Sequence, residues 1–511
     1  MRDGHWSARM PAVAGVLFLL AGCVDEKIVY RDGPNFAAPP AAAASFVGYD
    51  DHAAKRTVCG NCHVSQQGKW KETKHAGAWQ TLDTNAGKQG FCQACHTVSN
   101  LGNATIDTAV AWRSTKDPRY QDVQCESCHG AGLQHIGVPA RGQMLPSAKA
   151  DTGTAITTGC SECHSGSHQP FVEDWRKTRH ATARTTVFNS ATPTSPLPPG
   201  EVAGGVRAAC QSCHVGQKVL LAWGVNTNYT EKVEQPNCAT AVNGRCVGNS
   251  TAIGTTCAVC HDPHGSANPR QLRFPIDSRD PDNNLCIKCH NRRGNFDLAQ
   301  SSNTAPHAPH GPLVLGTAGW WPPGVAFTET ESSHGSEKNP RLCATCHVQK
   351  YAVNDKATNK FIVTVTGHRF TAIPCVDGNG QPTADQSCTQ LTQRSFKGCA
   401  ASGCHTEASA RTALTSADAD IALLRGALNG MLQSPLIPAA QKGSGLTTYR
   451  GALFNYNLAG MPGSDAHNPF LVKALLRASI AQVARDYGVA APPGLRLAPY
   501  DQIILGRKAS N

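Results

Sequence analysis

Cys125-Glu-Ser-Cys128-His129 decides how this chain is to be read. Two thiols three residues apart are followed directly by an imidazole. The same Cys-x-x-Cys-His spacing begins at Cys59, Cys92, Cys125, Cys160, Cys210, Cys257, Cys286 and Cys343. A ninth occurrence, Cys399-Ala-Ala-Ser-Gly-Cys404-His405, has a four-residue spacer. The intervals have no fixed period, so the chain is not a solenoid. They are filled largely by Gly, Pro, Asn, Ser and Thr, residues of turns and loops. The 511 residues include 23 Cys and 21 His but only 6% aromatics. Such a chain is poor in the large side chains that build an ordinary core, so something else must fill the interior.

The recurring motif is the c-type haem attachment signature. The paired thiols add to the haem vinyl groups, and the next histidine becomes the proximal iron ligand. The thiols are Cys59 and Cys62, Cys92 and Cys95, Cys125 and Cys128, Cys160 and Cys163, Cys210 and Cys213, Cys257 and Cys260, Cys286 and Cys289, Cys343 and Cys346, and Cys399 and Cys404. The proximal histidines are His63, His96, His129, His164, His214, His261, His290, His347 and His405. A zinc ribbon or redox dithiol needs no histidine directly after the second cysteine. The cofactor expected is haem c, covalently bound, about nine per chain.

Nine further histidines are candidate distal ligands: His75, His135, His168, His180, His264, His307, His334, His368 and His467. His310 is the alternative to His307, since both lie in Pro306-His-Ala-Pro-His310. His168 and His264 follow their own proximal residues too closely to pass around a porphyrin. They must therefore reach neighbouring haems, which pairs the haems closely. His467 precedes a helix start at Pro469 and is expected to serve a haem in the last third. Five cysteines remain. Cys238 with Cys246 and Cys375 with Cys388 form two local pairs suited to disulfides in an exported chain.

The fifth is Cys23. Arg2 and Arg9 precede an apolar run from about Pro11 to Leu20, then Leu20-Ala-Gly-Cys23. This is the pattern of a secretory signal. Its ending resembles the bacterial lipobox, which implies lipidation of Cys23 and anchoring by lipid rather than by a helix. The expected organisation is a signal peptide (1–22), a lipid-anchored flexible linker (23–45), a multihaem domain (46–405, sub-modules about 46–200 and 201–405) and a helical C-terminal region (406–511). The expected fold is mostly coil with short α-helices around a haem core, little β and a small α-helical cap. Phe361-Ile-Val-Thr-Val-Thr366 is the best strand candidate. In the cap, Ile421, Leu424, Leu428 and Leu432 fall on one helical face, and Val472, Leu476, Ser479 and Val483 on another. The formal charge of +11 comes with no Lys/Arg run of nucleic-acid type, and haem propionates would offset it. One sub-motif is used twice: Trp70-Lys-Glu-Thr-Lys-His75 after the first motif and Trp175-Arg-Lys-Thr-Arg-His180 after the fourth.

Cys125 to His135, read as Cys-Glu-Ser-Cys-His-Gly-Ala-Gly-Leu-Gln-His, resembles the hydroxylamine-oxidoreductase and tetrathionate-reductase cytochromes, as does Trp70 to His75. Cys257-Ala-Val-Cys-His261-Asp-Pro-His264 is similar to the doubled-motif cytochromes of metal-reducing bacteria. With the lipobox, the resemblance implies an outer-membrane cytochrome of extracellular electron transfer, lipid-anchored on the periplasmic or cell-surface face. It implies redox partner proteins or an extracellular electron acceptor, and leaves a homo-oligomer open. Bis-His ligation closes both axial positions, so the expected role is an electron carrier with no catalytic residue. The alternative is a multihaem oxidoreductase acting on nitrite, hydroxylamine or tetrathionate, which needs an iron without a sixth protein ligand.

Overall fold

The computed structural model describes residues 46–86, 88, 90–98, 112–137, 160–165, 169–181, 183, 208–225, 241–242, 245–246, 255–296, 305–325, 332–354, 361–378, 380, 382–383, 386–401 and 403–495. The signal region, Cys23, the linker, His168 and Cys238 lie outside the described residues.

Among the described residues up to His405, the chain is coil punctuated by helices of one or two turns. Helix α1 spans Val64–Lys71, α2 spans Cys125–His129, α3 spans Phe171–Arg176, α4 spans Cys257–Cys260 and α5 spans Cys343–His347. Local chemistry stops and starts these turns. Asp117 and Asp280 each accept a backbone N–H two residues on, and each is followed by a proline in the first helical position, the usual helix-start combination. Among the described residues, β-structure is three antiparallel two-stranded ribbons: β1 (Tyr49–Asp51) with β2 (Arg56–Thr57), β3 (Ala241–Val242) with β4 (Arg245–Cys246), and β5 (Lys350–Asn354) with β6 (Phe361–Thr366). The β-branched run at Phe361 thus forms the longest strand, as its alternation predicts.

Apolar clusters in this body are small. One joins Phe46, Val98, Trp112 and Tyr120, another Tyr49, Trp70 and Ala76. The large apolar core belongs to the C-terminal region. There α6 spans Glu407–Leu432, α7 spans Thr448–Ala459 and α8 spans Pro469–Tyr487. Helix α6 starts about four turns before Ile421, where its apolar stripe begins, because Thr406 and Ser409 cap each other reciprocally. Helix α8 starts on Asn468, whose side chain accepts from Leu471 N–H, with Pro469 next, and ends on left-handed Gly488. Ile421, Leu424, Leu428 and Leu432 meet Val472, Leu476 and Val483 in one core.

Helix α7 was not legible as a third member of the cap. Its inner face mixes Gly451 and Asn455 with Phe454 and Leu458, which blurs the 3.6-residue stripe. Both polar exceptions have a reason. A Cβ on Gly451 would lie 2.1 Å from the Trp320 ring. The Asn455 side chain accepts from Trp320 N–H at 2.8 Å and donates to Trp320 O at 2.7 Å and Ser479 Oγ at 2.9 Å. Leu313, Ala318 and Trp320 of the body are part of the same core, so the cap is docked and not merely appended. The sub-modules suggested around residue 200 interleave: Trp175 Nε1–H donates to Thr255 O at 2.8 Å, and Arg369 pairs with Asp174 at 2.8 Å. No helix among the described residues is long and apolar enough to cross a membrane.

Candidate haem-binding sites

The nine motifs are numbered here I to IX in chain order. A helical turn explains their spacing. Residues i, i+3 and i+4 share one helix face, so both thiols and the imidazole converge on one side. Motif III (Cys125–His129) and motif VIII (Cys343–His347) are complete turns of this kind, and Ala208–His214 carries motif V. In motif IX the helix Lys397–Ala400 ends early, and Gly403, at φ +75°, bends the chain back before Cys404. A left-handed residue is cheap only as glycine, which is how a four-residue spacer returns its second thiol.

The imidazoles come in pairs. His63 faces His135 with ring centroids 6.3 Å apart, His75 faces His164 at 6.2 Å, His129 faces His264 at 6.2 Å, and His180 faces His290 at 6.1 Å. His214 faces His307 at 6.2 Å, His261 faces His368 at 6.2 Å, His347 faces His467 at 6.1 Å, and His334 faces His405 at 6.3 Å. Every pair joins one motif histidine to one of the other candidates. An imidazole–metal bond of about 2.0–2.1 Å, the length known for zinc, plus ~1.1 Å to the ring centre on each side gives about 6.3 Å across a shared metal. The residues therefore fit a haem iron held between two imidazoles. His96 of motif II is the motif histidine without a partner among these pairs, and His168 lies outside the described residues. His310 makes closer ring contacts, 5.6 Å to His290 and 5.2 Å to His467, too short for a shared iron.

Ring orientation is set by the nitrogen that faces away from the pair. Nδ1 of His96, His214, His261 and His347 donates to the carbonyls of Ala78, Ala183, Arg270 and Phe370 at 2.7, 3.2, 2.9 and 2.8 Å. His334 and His368 do the same to Ala466 and Thr366 at 2.9 and 3.0 Å. Such a bond leaves Nε2 for iron and makes it a better donor. Burial, with a smaller push from neighbouring imidazoles, lowers His75 to about 4 and His290 and His467 to about 3. These rings are neutral at physiological pH, the form that ligates a metal.

The repeated Trp-x-x-Thr-x-His segment has one geometry used twice. Trp70 Nε1–H donates to Val123 O at 2.9 Å and Trp175 Nε1–H to Thr255 O at 2.8 Å. Val123 N–H then donates to His75 O at 3.1 Å, and Thr255 N–H to His180 O at 3.0 Å. Val123 and Thr255 each stand two residues ahead of the next motif's first cysteine. Each copy therefore fixes a candidate ligand beside a motif it does not belong to. Thr73 and Thr178 hydroxyls brace the turn on Trp70 O and Trp175 O, both at 2.7 Å.

Thiols of different motifs also meet. The thiols of Cys59 and Cys125, Cys95 and Cys163, Cys160 and Cys257, Cys213 and Cys289, and Cys286 and Cys343 lie close enough to shift each other's ionisation. Cys260 acts electrostatically on Cys286 and Cys289, and Cys399 on Cys346. Motif I thus adjoins III, II adjoins IV, IV adjoins VI, VI adjoins VII, V and VIII adjoin VII, and IX adjoins VIII. Asp-Pro between His261 and His264 ties III to VI, since His264 faces His129.

Two buried acids at and just before motif III were not anticipated from the sequence. Asp122, fully buried, accepts from Tyr49 OH at 2.7 Å and Trp79 N–H at 2.8 Å, and pairs with Lys55. Glu126, inside motif III, accepts from the N–H groups of Val47, Gly48 and Gly132 at 2.9, 2.8 and 2.8 Å. Burial pushes Glu126 up to about 7 against those three donors, which favour the carboxylate. Their acidic character is visible in sequence, but their partners are up to 79 residues away.

Sites of this kind, repeated through the chain, make it a multihaem c-type cytochrome. The comparisons agree. Residues 251–295 match the doubled CXXCH motif family, and residues 58–130 match the cytochrome c554 and c-prime family. The C-type polyheme cytochrome OmcB, from two strains of Geobacter sulfurreducens, is 24% identical over 278 residues. That alignment covers 50% of this chain and 31% of each relative. No solved structure matches the chain.

Proposed function

We propose that this chain transfers electrons along nine covalently bound, bis-His-ligated c-type haems. Each bound haem supplies an iron that exchanges one electron between its ferric and ferrous states. The observation that carries the reading is the set of eight imidazole pairs at 6.1–6.3 Å. His63, His129, His164, His214, His261, His290, His347 and His405 are the proximal ligands of these sites. His135, His264, His75, His307, His368, His180, His467 and His334 are their respective distal ligands. His96 and His168 complete site II. With both axial positions closed by protein, no iron is left open to a substrate, so the chain is a carrier and not a reductase. The thiol contacts between motifs support one contiguous series of sites, as electron exchange between bound haems requires.

The setting we propose is outside the cytoplasm. Residues 1–22 are a signal peptide, Cys23 carries a lipid, and residues 23–45 tether the multihaem body (46–405) and its helical cap (406–511). Redox proteins or an extracellular acceptor exchange electrons with it. Cys375 and Cys388, with sulfurs 2.00 Å apart, form a disulfide in that oxidising compartment, and Cys238 with Cys246 form the second. The test is the ferric spectrum with and without nitric oxide, alongside the mass of the mature protein. The reading expects nine haem masses, an entirely low-spin spectrum and no nitric oxide adduct. A high-spin signal of one haem per chain overturns it in favour of an enzyme.

A further inference from the structure

We propose that Asp174 is the positioning residue of site VI: it holds the His368 loop so that His368 reaches the iron carried by His261. The inference rests on the bis-His reading above. His368 lies more than a hundred residues beyond His261, on a loop following β6, and nothing covalent directs it there. Asp174 lies on α3, just after motif IV, and is 2% exposed. Its carboxylate takes three donors from that one loop and ribbon. Oδ2 accepts from the backbone N–H of His368 at 3.2 Å and from Tyr351 OH at 3.1 Å, and Oδ1 accepts from Arg369 Nε–H at 2.8 Å. Arg369 in turn donates to Pro382 O at 2.7 Å and Thr383 O at 3.0 Å. A buried carboxylate is tolerated only when it is paired and hydrogen-bonded, so the loop position that brings these three donors together is favoured over one that leaves Asp174 unpaired.

The same helix turn supplies the second half of the clamp. Phe171, three residues before Asp174 and on the same face, sits 4.8 Å from the His368 ring and 5.6 Å from His164. Phe370 adds a second ring, 5.8 Å from His368 and 4.9 Å from His180. His368 is therefore held at its backbone by Asp174, at Nδ1 by Thr366 O, and at its ring by two phenyl groups. Its free nitrogen is left pointing at His261. Metal-ligand orientation is commonly fixed from outside the ligand set in this way.

The test uses the full-length, haem-loaded protein, with His368→Ala as the reference. H368A is expected to turn one low-spin ferric haem per chain high-spin, with all haems still attached. If it does not, His368 is not a ligand and the bis-His reading of site VI fails. With that reference in hand, D174A is expected to give the same single high-spin haem, and added imidazole is expected to return it to low spin. A general loss of structure would instead disturb several haems, so that imidazole would not return the wild-type spectrum and redox titration. D174A that stays wholly low-spin with unchanged potentials, or whose high-spin haem ignores imidazole, overturns the assignment. Should D174A not accumulate, D174N serves instead, because it keeps the shape but sets an amide against Arg369. A shift in the potential of one haem supports the clamp, and a redox titration superimposable on wild type overturns it.

Discussion

At the residue scale, ligand assignment turns on reach. His75 follows motif I by twelve residues yet faces His164 of motif IV, because Trp70 and Val123 pin the turn that carries it. Replacing His75 with Met should exchange an imidazole for a thioether at one iron and raise that site's potential. Mass spectrometry should still find every haem, and a redox titration should move one component; an unmoved titration would assign His75 elsewhere. Gly463 gives a second case. It is left-handed at φ +82°, and an added Cβ would stand 2.9 Å from Cε1 of His467. Gly463→Ala should cost about 1–2 kcal/mol in backbone strain and perturb the spectrum of site VIII, whereas Gly426→Ala, on open helix surface with nothing within 4 Å, should do neither. The candidate histidines were legible because their number can be matched against the motifs. Asp174 was not, since a lone acid in a helix looks the same whether it is solvated or buried under a loop 194 residues away.

At the scale of elements, what could be read was what local chemistry decides. The helical turn at each motif, the strand at Phe361 and the two apolar stripes of the cap all follow from side-chain periodicity within a few residues. Helix α7 could not be read, because the glycine and asparagine on its inner face answer to Trp320, more than a hundred residues earlier. The pairing of β5 with β6 holds His368 and Tyr351 over α3, and the segment after it returns through Cys375 and Cys388. Those cysteines close a loop of sequence separation 13. Cys388→Ser should therefore lower stability by about 3 kcal/mol on the chain-entropy estimate, read as a lower melting temperature of the haem-loaded protein. Because the loop is next to the Arg369 segment and not at an iron, the haem spectrum at room temperature should be unchanged; a new high-spin signal would mean the bridge also holds a ligand.

At the scale of the whole molecule, two parts are held together by different forces. From α6 to α8 the chain buries its own leucines, valines and isoleucines in one apolar core. Burial of that kind contributes about 25 cal/mol per Å² of apolar surface and needs no cofactor. Among the described residues, the body before it lends Leu313, Ala318 and Trp320 to that core and otherwise has clusters of three or four buried apolar residues. Its histidine pairs stand 6.1–6.3 Å apart, an arrangement that contributes little by itself. On the proposed bis-His ligation, what draws those rings together is the iron they share, and folding of the body and haem binding are then one event, as with other sites whose metal contributes directly to folding free energy. The chain made without haem attachment should then divide along this line. Hydrogen exchange should find residual protection within 407–487, weakened because Leu313, Ala318 and Trp320 no longer cover that core, and near-random exchange from 46 to 405. A haem-free chain that melts cooperatively as one unit, with protected amides around Trp70 and Trp175, would show that the polypeptide specifies the body by itself and that the haems merely occupy it.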